Sequence, residues 1–446
     1  MSTGSLSHLD ELVLLVREGR LEAFLQRAWE LEPADLADVL ATLDVEERLA
    51  LVRILPTELS SHALVELPAD AHAEEIVAAL GTEQAADIVD ELEDDDAADL
   101  LGELDPEEQE RILAGVEDRA GVDRLLRYHE ETAGGLMTTH LVTVTDLDTV
   151  GLALEAVRRQ AEDVDDVTEI FVVDTARRLV GTLSFKQLVV TPQARLVRDV
   201  MEDADIRVGA EVDQEEVARI MARYDLVSLP VVDATGRLLG RVTHDDISDV
   251  TEAEATEDLL RFGGVSPDEE LSALWLSSVR SRLPWLYVNL MTAFLAGAVV
   301  LFFKGAIERI TALAIWMPII AGMGGNAGTQ ALAVSVRRLS LGQVPADRSR
   351  SIISKEILVG MSNGIAIGVV VAGVSVLVGE SWRMGLVVFL AMSGNLLVAG
   401  FAGSFIPVLL DRLGIDPAVA SSIFVTTFTD VCGFGLLLGL ATAILL

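Results

Sequence analysis

Apolar residues recur at intervals of three and four along residues 6–128, and this spacing predicts a series of short amphipathic helices. The segments AADIVDELED at 85–94 and AADLLGELDP at 97–106 show it most clearly, and they lie 12 residues apart. Prolines stand near the starts of several of these units, where a proline suits the first helical turn: Pro33, Pro56, Pro68 and Pro106. The pattern predicts an α-helical superhelical domain with an acidic outer face over residues 1–131.

After residue 131 the pattern changes to short apolar strands that alternate with helices, and it occurs twice. The run FVVDTARRLVGTLSFKQLV is echoed by PVVDATGRLLGRVTHDDI at an offset of 59 residues, which brings Asp174 onto Asp233 and Gly181 onto Gly240. This internal repeat resembles tandem α/β CBS domains. We place the first at 132–198 and the second at 199–248.

A connecting helix and an apolar region follow. Segment 249–262, DVTEAEATEDLLRF, contains good helix formers and no helix breaker before Gly263, so it predicts a connecting (plug) helix within residues 249–270. Each of the five apolar stretches beyond it is long enough to cross a hydrocarbon core, which takes about 20 residues. They lie at 284–303, 311–336, 354–378, 385–410 and 417–446. The sequence therefore predicts a five-helix transmembrane domain over residues 271–446.

Charge divides the chain in the same way. Residues 1–270 hold 64 Asp and Glu against 22 Lys and Arg, whereas the remainder holds 7 acids and 11 bases. A part this acidic repels nucleic acid and attracts multivalent cations. The single cysteine, Cys432, excludes a disulfide framework and a cysteine metal site, and we see no cleaved targeting segment at the N-terminus.

Basic residues near the ends of the apolar stretches predict the orientation in the membrane. Arg280 and Arg282 precede the first stretch, and Arg337, Arg338 and Lys355 flank the loop between the second and third. Because such loops stay on the cytoplasmic side, we expect a multi-pass plasma-membrane protein with cytoplasmic N-terminal domains and its C-terminus outside.

Asp430 is the acid within the fifth apolar stretch, where a carboxylate costs roughly 2.5–3.5 kcal/mol by insertion scales. Ser422 and Thr426 precede it at helical spacing, and Gly433 adjoins the same face, so this stripe is a candidate to line a water-filled path. The structural alternative is an Asp that only bonds neighbouring hydroxyl groups between helices.

The second stretch contains PIIAGMGGNAGTQ, in which Asn326, Gly328 and Gln330 are candidate pore-lining residues. Its glycines permit close helix approach, and we expect a loosened helix to expose backbone carbonyls there. Oxygen ligands without His or Cys suit a hard cation, and hydrated Mg²⁺ keeps several waters. One Asp per chain cannot enclose a dication, so a two-fold dimer with two Asp430 on its axis would balance the charge.

These parts in this order, with GGNAGTQ at 324–330 and TTFTDVCGFGLLLG at 426–439, resemble the MgtE family of magnesium channels. The resemblance implies a homodimer in the lipid membrane, Mg²⁺ as both substrate and regulator, and a channel that Mg²⁺ closes by binding the cytoplasmic domains. It implies Asp430 as the pore site. It also implies these regulatory ligands: Glu58, Asp90, Asp94, Glu215, Asp225, Asp246, Asp249, Glu257, Asp258 and Asp416.

CBS domains commonly bind adenosine nucleotides, and the family pattern of Gly, Ser or Thr, then Asp is present in the second repeat as Gly240, Thr243 and Asp246. The first repeat has Gln187 in place of the Asp. The resemblance therefore implies at most one site for ATP per chain, in the second repeat.

Three alternatives stay open at this point. The cargo is another divalent cation, such as Co²⁺, Mn²⁺ or Ca²⁺, because oxygen ligands alone do not exclude it. A membrane-embedded metalloprotease is disfavoured, because no HExxH motif occurs and no His lies in an apolar stretch, so we expect no enzyme activity. A nucleotide sensor with spans that only anchor it is disfavoured by Asp430.

Overall fold

The computed structural model describes residues 5–68, 71–117, 119–160, 167–266, 275–340, 349–417 and 421–446. The chain divides into two compact units, Met1–Glu252 and Ala253–Leu446, and each is described by itself below. Residues 267–274, which hold the end of the predicted connecting segment and the start of the predicted membrane domain, lie outside the described residues.

The first unit begins with ten short α-helices among the described residues. Pro33 occupies the first turn of α3 and Pro106 the first turn of α9, as the sequence predicts. Helix α4 begins with a capping box between Asp44 and Glu47. In order, the ten helices are Ser5–Arg17, Leu21–Ala28, Pro33–Thr42, Val45–Val52, Thr57–Val65, Ala73–Ala78, Thr82–Asp90, Asp94–Gly102, Pro106–Leu113 and Arg119–Leu125.

These helices stack as two interleaved rows. In one row α3 contacts α5, α5 contacts α7 and α7 contacts α9, while in the other α4 contacts α6 and α6 contacts α8. Each helix therefore packs on its next-but-one neighbour, which is the arrangement of a superhelix. The predicted superhelical domain is confirmed in its helical character, and the acid-rich segments lie at helix starts such as Asp94–Asp96.

Two small sheets follow. In the first, β1 (Thr143–Thr145) pairs in parallel with β2 (Glu169–Val173), and β3 (Leu179–Ser184) runs antiparallel between β2 and β4 (Glu202–Asp203). In the second, β5 (Val208–Gly209) pairs in parallel with β6 (Ser228–Val232), which pairs with antiparallel β7 (Leu238–Thr243). The helices are α11 (Val150–Gln160), α12 (Phe185–Val190), α13 (Gln214–Tyr224) and α14 (His244–Phe262).

The two repeats turn in the same way. Asp174 accepts hydrogen bonds from the backbone of Ala176 and Arg178, and Asp233 does so from Thr235 and Arg237. In the second turn the left-handed position, at φ +81°, is taken by Gly236. The predicted repeat offset is therefore also an offset of structure.

The cores of the two repeats differ. The first repeat has a core of its own, built around residues such as Val144, Ile170 and Leu183. The core of the N-terminal helices continues instead into the second repeat, where Leu229 and Val242 belong to the same buried cluster. The acidic helical domain is thus joined to the second repeat by shared apolar burial.

The predicted connecting helix starts earlier than expected. Helix α14 begins at His244 and runs unbroken to Phe262, so its first turns belong to the second repeat and its last turns to the second unit. The sequence predicts a start at 249, directly after the second repeat, which ends at 248. No helix break separates the two parts.

The second unit contains five long helices among the described residues and a short one, α16. Four are long and apolar enough to cross a membrane. The other, α17, has its Gly, Asn, Thr and Gln residues in the middle, and these lower its hydropathy. The bounds of α15 to α20 are Trp275–Phe302, Lys304–Arg309, Leu313–Ser340, Ser349–Leu377, Trp382–Arg412 and Ser421–Leu445.

Candidate functional site

Helix α20 carries the predicted stripe around Asp430. Ser422, Thr426 and Asp430 follow each other at intervals of four and are all half-buried in the single chain. A fully buried stripe that includes Val425 and Thr429 runs beside them. The carboxylate therefore lies at the edge of the packed helices, on a face that α20 leaves partly open.

The glycine-rich segment of α17 is regular helix. Because α17 continues through residues 324–330, the expectation of a loosened helix with exposed carbonyls is wrong for this structure. Gly328 is buried, and a Cβ there would lie 2.6 Å from a methyl carbon of Val425 in α20. Asn326 and Gln330 lie on the opposite, exposed face. The glycines thus serve close packing, and the two amide side chains point away from that contact.

Gly433, predicted to line the path, is also buried. A Cβ at this position would lie 2.7 Å from Nδ2 of Asn395 in α19. Asn395 is 0% exposed, and its Nδ2 donates a hydrogen bond to the carbonyl oxygen of Ile320 at 3.0 Å. The place of Asn395 between three helices could not be read from spacing along the sequence.

Glu356 in α18 is a further carboxylate that sequence reasoning missed. It is 6% exposed, although it lies near the start of the third apolar stretch. Its backbone carbonyl faces Gly400 of α19 at a point where a Cβ on the glycine would collide with it. An acid beside an apolar run was the available signal.

At the end of α14, Arg261 forms ion pairs with both Glu257 and Asp416, two of the expected regulatory ligands. The side chains of Arg261 and Asp416 are 31% and 30% exposed. The next residue, Phe262, packs against an apolar cluster that includes Leu332 and Val425. The connecting helix therefore ends against α17 and α20 in this structure.

In the first unit, two expected ligands are held by hydrogen bonds. Asp94 is 6% exposed and accepts from the hydroxyl of Thr138 at 2.9 Å, from the backbone N–H of Thr139 at 3.0 Å and from the Thr139 hydroxyl. Asp90 accepts from the backbone N–H of Glu117 at 2.8 Å. Asp94 thereby ties α8 to the chain that enters the CBS pair.

Carboxylates crowd together where α8 meets the start of α14. Burial, and then the charge of Asp246, raise the pKa of Asp96 to about 7. The same two causes raise the pKa of Asp95 well above its usual range. Burial is also the largest reason why the pKa of Asp246 is raised to about 6. Two negative elements therefore face each other here, and a cation between them would be stabilised.

The remaining expected ligands are spread over helices α5, α13 and α14. Asp225 ends α13 in a left-handed conformation, at φ +52°. Within the described residues, no group of three or more His, Cys, Asp or Glu side chains is arranged to hold a metal ion. The structure places the other expected ligands as follows: Glu58 in the first turn of α5, Glu215 in the first turn of α13, and Asp249, Glu257 and Asp258 along α14.

Two residues of the predicted nucleotide motif are bonded to each other in this structure. Asp246 accepts from the backbone N–H and the hydroxyl of Thr243, and its surroundings are acidic. A Cβ at Gly240 would lie 2.6 Å from the carbonyl oxygen of Thr138, so this glycine serves a close chain approach. An acidic environment repels phosphates, so in this conformation these residues favour a cation over the phosphate groups of ATP.

The corresponding residue of the first repeat, Gln187, is also hydrogen-bonded within the chain. Oε1 of Gln187 accepts from the backbone N–H and hydroxyl of Ser184, and its Nε2 donates to Glu202 at 2.7 Å. A cavity of about 610 Å³ lies instead between α13 and α14, lined by residues that include Asp225, His244 and Glu252. None of the motif residues lines it.

Family models match most of the chain. The model of MgtE, described as a divalent cation transporter, matches residues 317–440, and the model of the MgtE intracellular N domain matches 31–131. The CBS domain model matches 133–191 and 197–252.

Relatives match over nearly the full length. The chain is 36% identical to the magnesium transporter MgtE of Thermus thermophilus, over 96% of this chain and 97% of the relative. It is 31% identical to the magnesium transporter MgtE of Bacillus subtilis, over 97% of each. A crystal structure of the cytosolic domain of the Mg²⁺ channel MgtE in complex with ATP is 36% identical, with a TM-score of 0.51, and covers 54% of this chain and 99% of that chain.

Proposed function

This chain belongs to the MgtE family of divalent cation transporters, and from that membership we propose that it is a Mg²⁺ channel that mediates magnesium uptake across the plasma membrane. Members of this family are transporters, so the chain is no enzyme. The observation that supports conduction most directly is Asp430, a carboxylate kept on a partly open polar stripe within an apolar helix.

Two copies of Asp430 on the axis of a homodimer hold the ion. The half-buried face of α20 in the single chain leaves room for a partner, and two carboxylates balance the charge of one dication. Mg²⁺ dehydrates reluctantly, so a site with few protein ligands suits its hydrated form. Helix α17 also spans the membrane, with its polar middle facing protein or water, so that the spans number five. The C-terminus then lies outside.

The experiment is Mg²⁺ flux into proteoliposomes. Asp430→Ala in a folded dimer abolishes or sharply reduces the flux, whereas Asp411→Ala, which removes an exposed acid at the end of α19, leaves it unchanged. Wild-type flux through a folded Asp430→Ala channel contradicts the assignment of the pore site.

Cytoplasmic Mg²⁺ closes the channel by bridging carboxylates. The acids at the contact of α8 and α14 repel one another, as their raised pKa values indicate, so a dication there favours the compact arrangement. The triple variant Asp90→Ala, Asp246→Ala and Asp258→Ala then needs more Mg²⁺ on the cytoplasmic face to close in excised patches. Unchanged inhibition places the sensor elsewhere.

The cargo alternative is another divalent cation, such as Co²⁺ or Mn²⁺. The family description names divalent cations in general, and oxygen ligands accept several of them. Competition for Mg²⁺ uptake separates the two: a selective Mg²⁺ channel keeps its flux in the presence of an equal concentration of Co²⁺ or Mn²⁺.

The mechanism proposed above does not depend on ATP. The ATP complex of the related cytosolic domain makes a nucleotide a reasonable expectation, yet the residues at both motif positions of this chain are bonded to each other or face acids. We therefore derive no step through a nucleotide.

A further inference from the structure

The carboxamide of Asn395 lies at the junction of α17, α19 and α20. Its Nδ2 donates to the carbonyl oxygen of Ile320, while its Oδ1 is buried and has no hydrogen-bond partner among the described residues. The reverse orientation of the amide would set two acceptors against each other, so the nitrogen faces Ile320. A buried acceptor without a donor is costly, and an apolar residue of the same size would avoid that cost.

Two glycines leave room for this one side chain. At Gly324 of α17 and at Gly433 of α20, the three atoms nearest to an added Cβ all belong to the carboxamide of Asn395. At Gly433 the nearest of these atoms would be 2.7 Å away, which is closer than a real Cβ tolerates. The absence of a side chain at two positions on two helices therefore serves a single polar group.

The two glycines stand beside the candidate path. Gly324 opens the GGNAGTQ segment of α17, and Gly433 follows Asp430 by three residues, which is just under one helical turn. Helix α19 contacts both α17 and α20. Asn395 therefore sits between the helix with the polar motif and the helix with the pore carboxylate.

We propose that Asn395 is a positioning residue for ion selectivity: its carboxamide fixes the separation of α17 and α20 next to Asp430, and the chain keeps it there despite the unpaired Oδ1. This inference rests on the proposed function, because it needs a conducting channel. A side chain that merely filled space could be replaced by leucine at no cost to selectivity.

The test removes the carboxamide of Asn395 and keeps the volume of the side chain. In Asn395→Leu we expect a dimer at least as stable to heating, because an unpaired acceptor is removed. We expect its ratio of Mg²⁺ flux to Ca²⁺ flux per folded channel to fall about three-fold or more, since a polar contact between membrane helices is typically worth that factor. The matched control is Ser393→Ala, which removes a hydrogen bond from α19 to the Gly364 carbonyl of α18 and leaves the ratio unchanged.

A second pair of variants separates volume from polarity. Gly433→Ala alone collides with Asn395, and Asn395→Ala alone leaves a cavity, but the double variant fits and regains thermal stability. We expect the double variant to regain stability without regaining the flux ratio. A normal ratio in the double variant, or in a stable Asn395→Leu, overturns the proposal.

These experiments also separate the role of Asn395 from the proposed function as a Mg²⁺ channel. Wild-type channels that carry no Mg²⁺ contradict the proposed function itself. Wild-type channels that carry Mg²⁺ and lose it in Asp430→Ala, with normal selectivity in the Asn395 variants, contradict only the role of Asn395.

Discussion

The two units use carboxylates in opposite ways. The first unit is crowded with acids, and even half-buried ones such as Asp96 and Asp246 stand among others of the same charge. The second unit has few, and Asp430 is set on its own stripe within an apolar helix. Removing one carboxylate should therefore change Mg²⁺ flux little in the first unit, where many acids act together, and greatly at Asp430, which no neighbouring acid can replace.

The largest expected effect comes from neutralising Asp430, the one acid of α20. Asp430→Asn keeps the shape of the side chain and removes its charge, so we expect Mg²⁺ flux to fall about 100-fold or more, corresponding to roughly 3 kcal/mol of lost ion stabilisation. Glu215→Gln, a single neutralisation in the first unit, should change the flux less than two-fold. Equal effects of the two variants would remove the contrast between the units.

Asp94 is an acid of the first unit whose removal alone should lower stability. It accepts three hydrogen bonds from Thr138 and Thr139, so Asp94→Ala leaves buried donors unpaired and should lower the free energy of unfolding by about 2 kcal/mol. Urea unfolding of residues 1–252 measures this. Asp87→Ala, an exposed acid of α7, is the control and should lie within about 0.5 kcal/mol of wild type. A similar small change in both would show that the bonds to Asp94 are not needed.

In the connecting helix, the guanidinium of Arg261 joins two acids, as Mg²⁺ is proposed to do in the first unit. Arg261→Gln removes the pairs with Glu257 and Asp416, so the open-to-closed ratio in Mg²⁺-free solution should rise about two- to five-fold, as expected for a partly exposed ion pair. High Mg²⁺ should shrink this difference, because the ion can take the place of the guanidinium. Patch recordings with Arg280→Gln as control measure it, and an unchanged ratio would contradict a role in closure.

Acid pH should partly replace Mg²⁺ in the first unit. The pKa values of Asp96 and Asp246 are raised in the folded state to about 7 and about 6, from an ordinary value of 3.8. Their contribution to stability is therefore fully present below pH 3.8 and is lost as pH rises through 6 to 7.

Without Mg²⁺, residues 1–252 should consequently be about 1 kcal/mol more stable at pH 5.5 than at pH 8. Urea unfolding at the two pH values checks this. The double variant Asp96→Asn and Asp246→Asn should lose part of the difference, because burial also raises the pKa of Asp95 and of Asp99. A difference as large as that of the wild type would have another source.

The smallest expected effect concerns ATP. Because Gln187 is bonded to Ser184 and Glu202, and Asp246 to Thr243, titration calorimetry of residues 1–252 should show no saturable heat with ATP at concentrations up to about 1 mM. Gln187→Asp restores the family pattern in the first repeat and is the comparison variant. Saturable binding of ATP by the wild-type chain would contradict this expectation.

Sequence patterns were sufficient for the parts of the molecule that depend on local order. Proline at Pro33 and Pro106, the matched turns at Asp174 and Asp233, and the spacing of Ser422, Thr426 and Asp430 are properties of neighbouring residues, and the structure has each as predicted. The helix start at His244 and the regular helix at 324–330 were missed. The end of the repeat pattern set the predicted start at 249, and the glycines favoured a loosened helix that tertiary packing does not require.

The sequence by itself determined the acidic and apolar units, the repeat and the position of Asp430, because charge density and periodicity act over a few residues. Only the tertiary structure decided that Gly433 packs against Asn395 rather than facing an open path, that Asp94 is held by Thr138 and Thr139, and that Arg261 reaches Asp416. Each of these contacts joins residues far apart in the chain. Their partners are fixed by the folding of separate helices onto one another, which spacing along the sequence does not record.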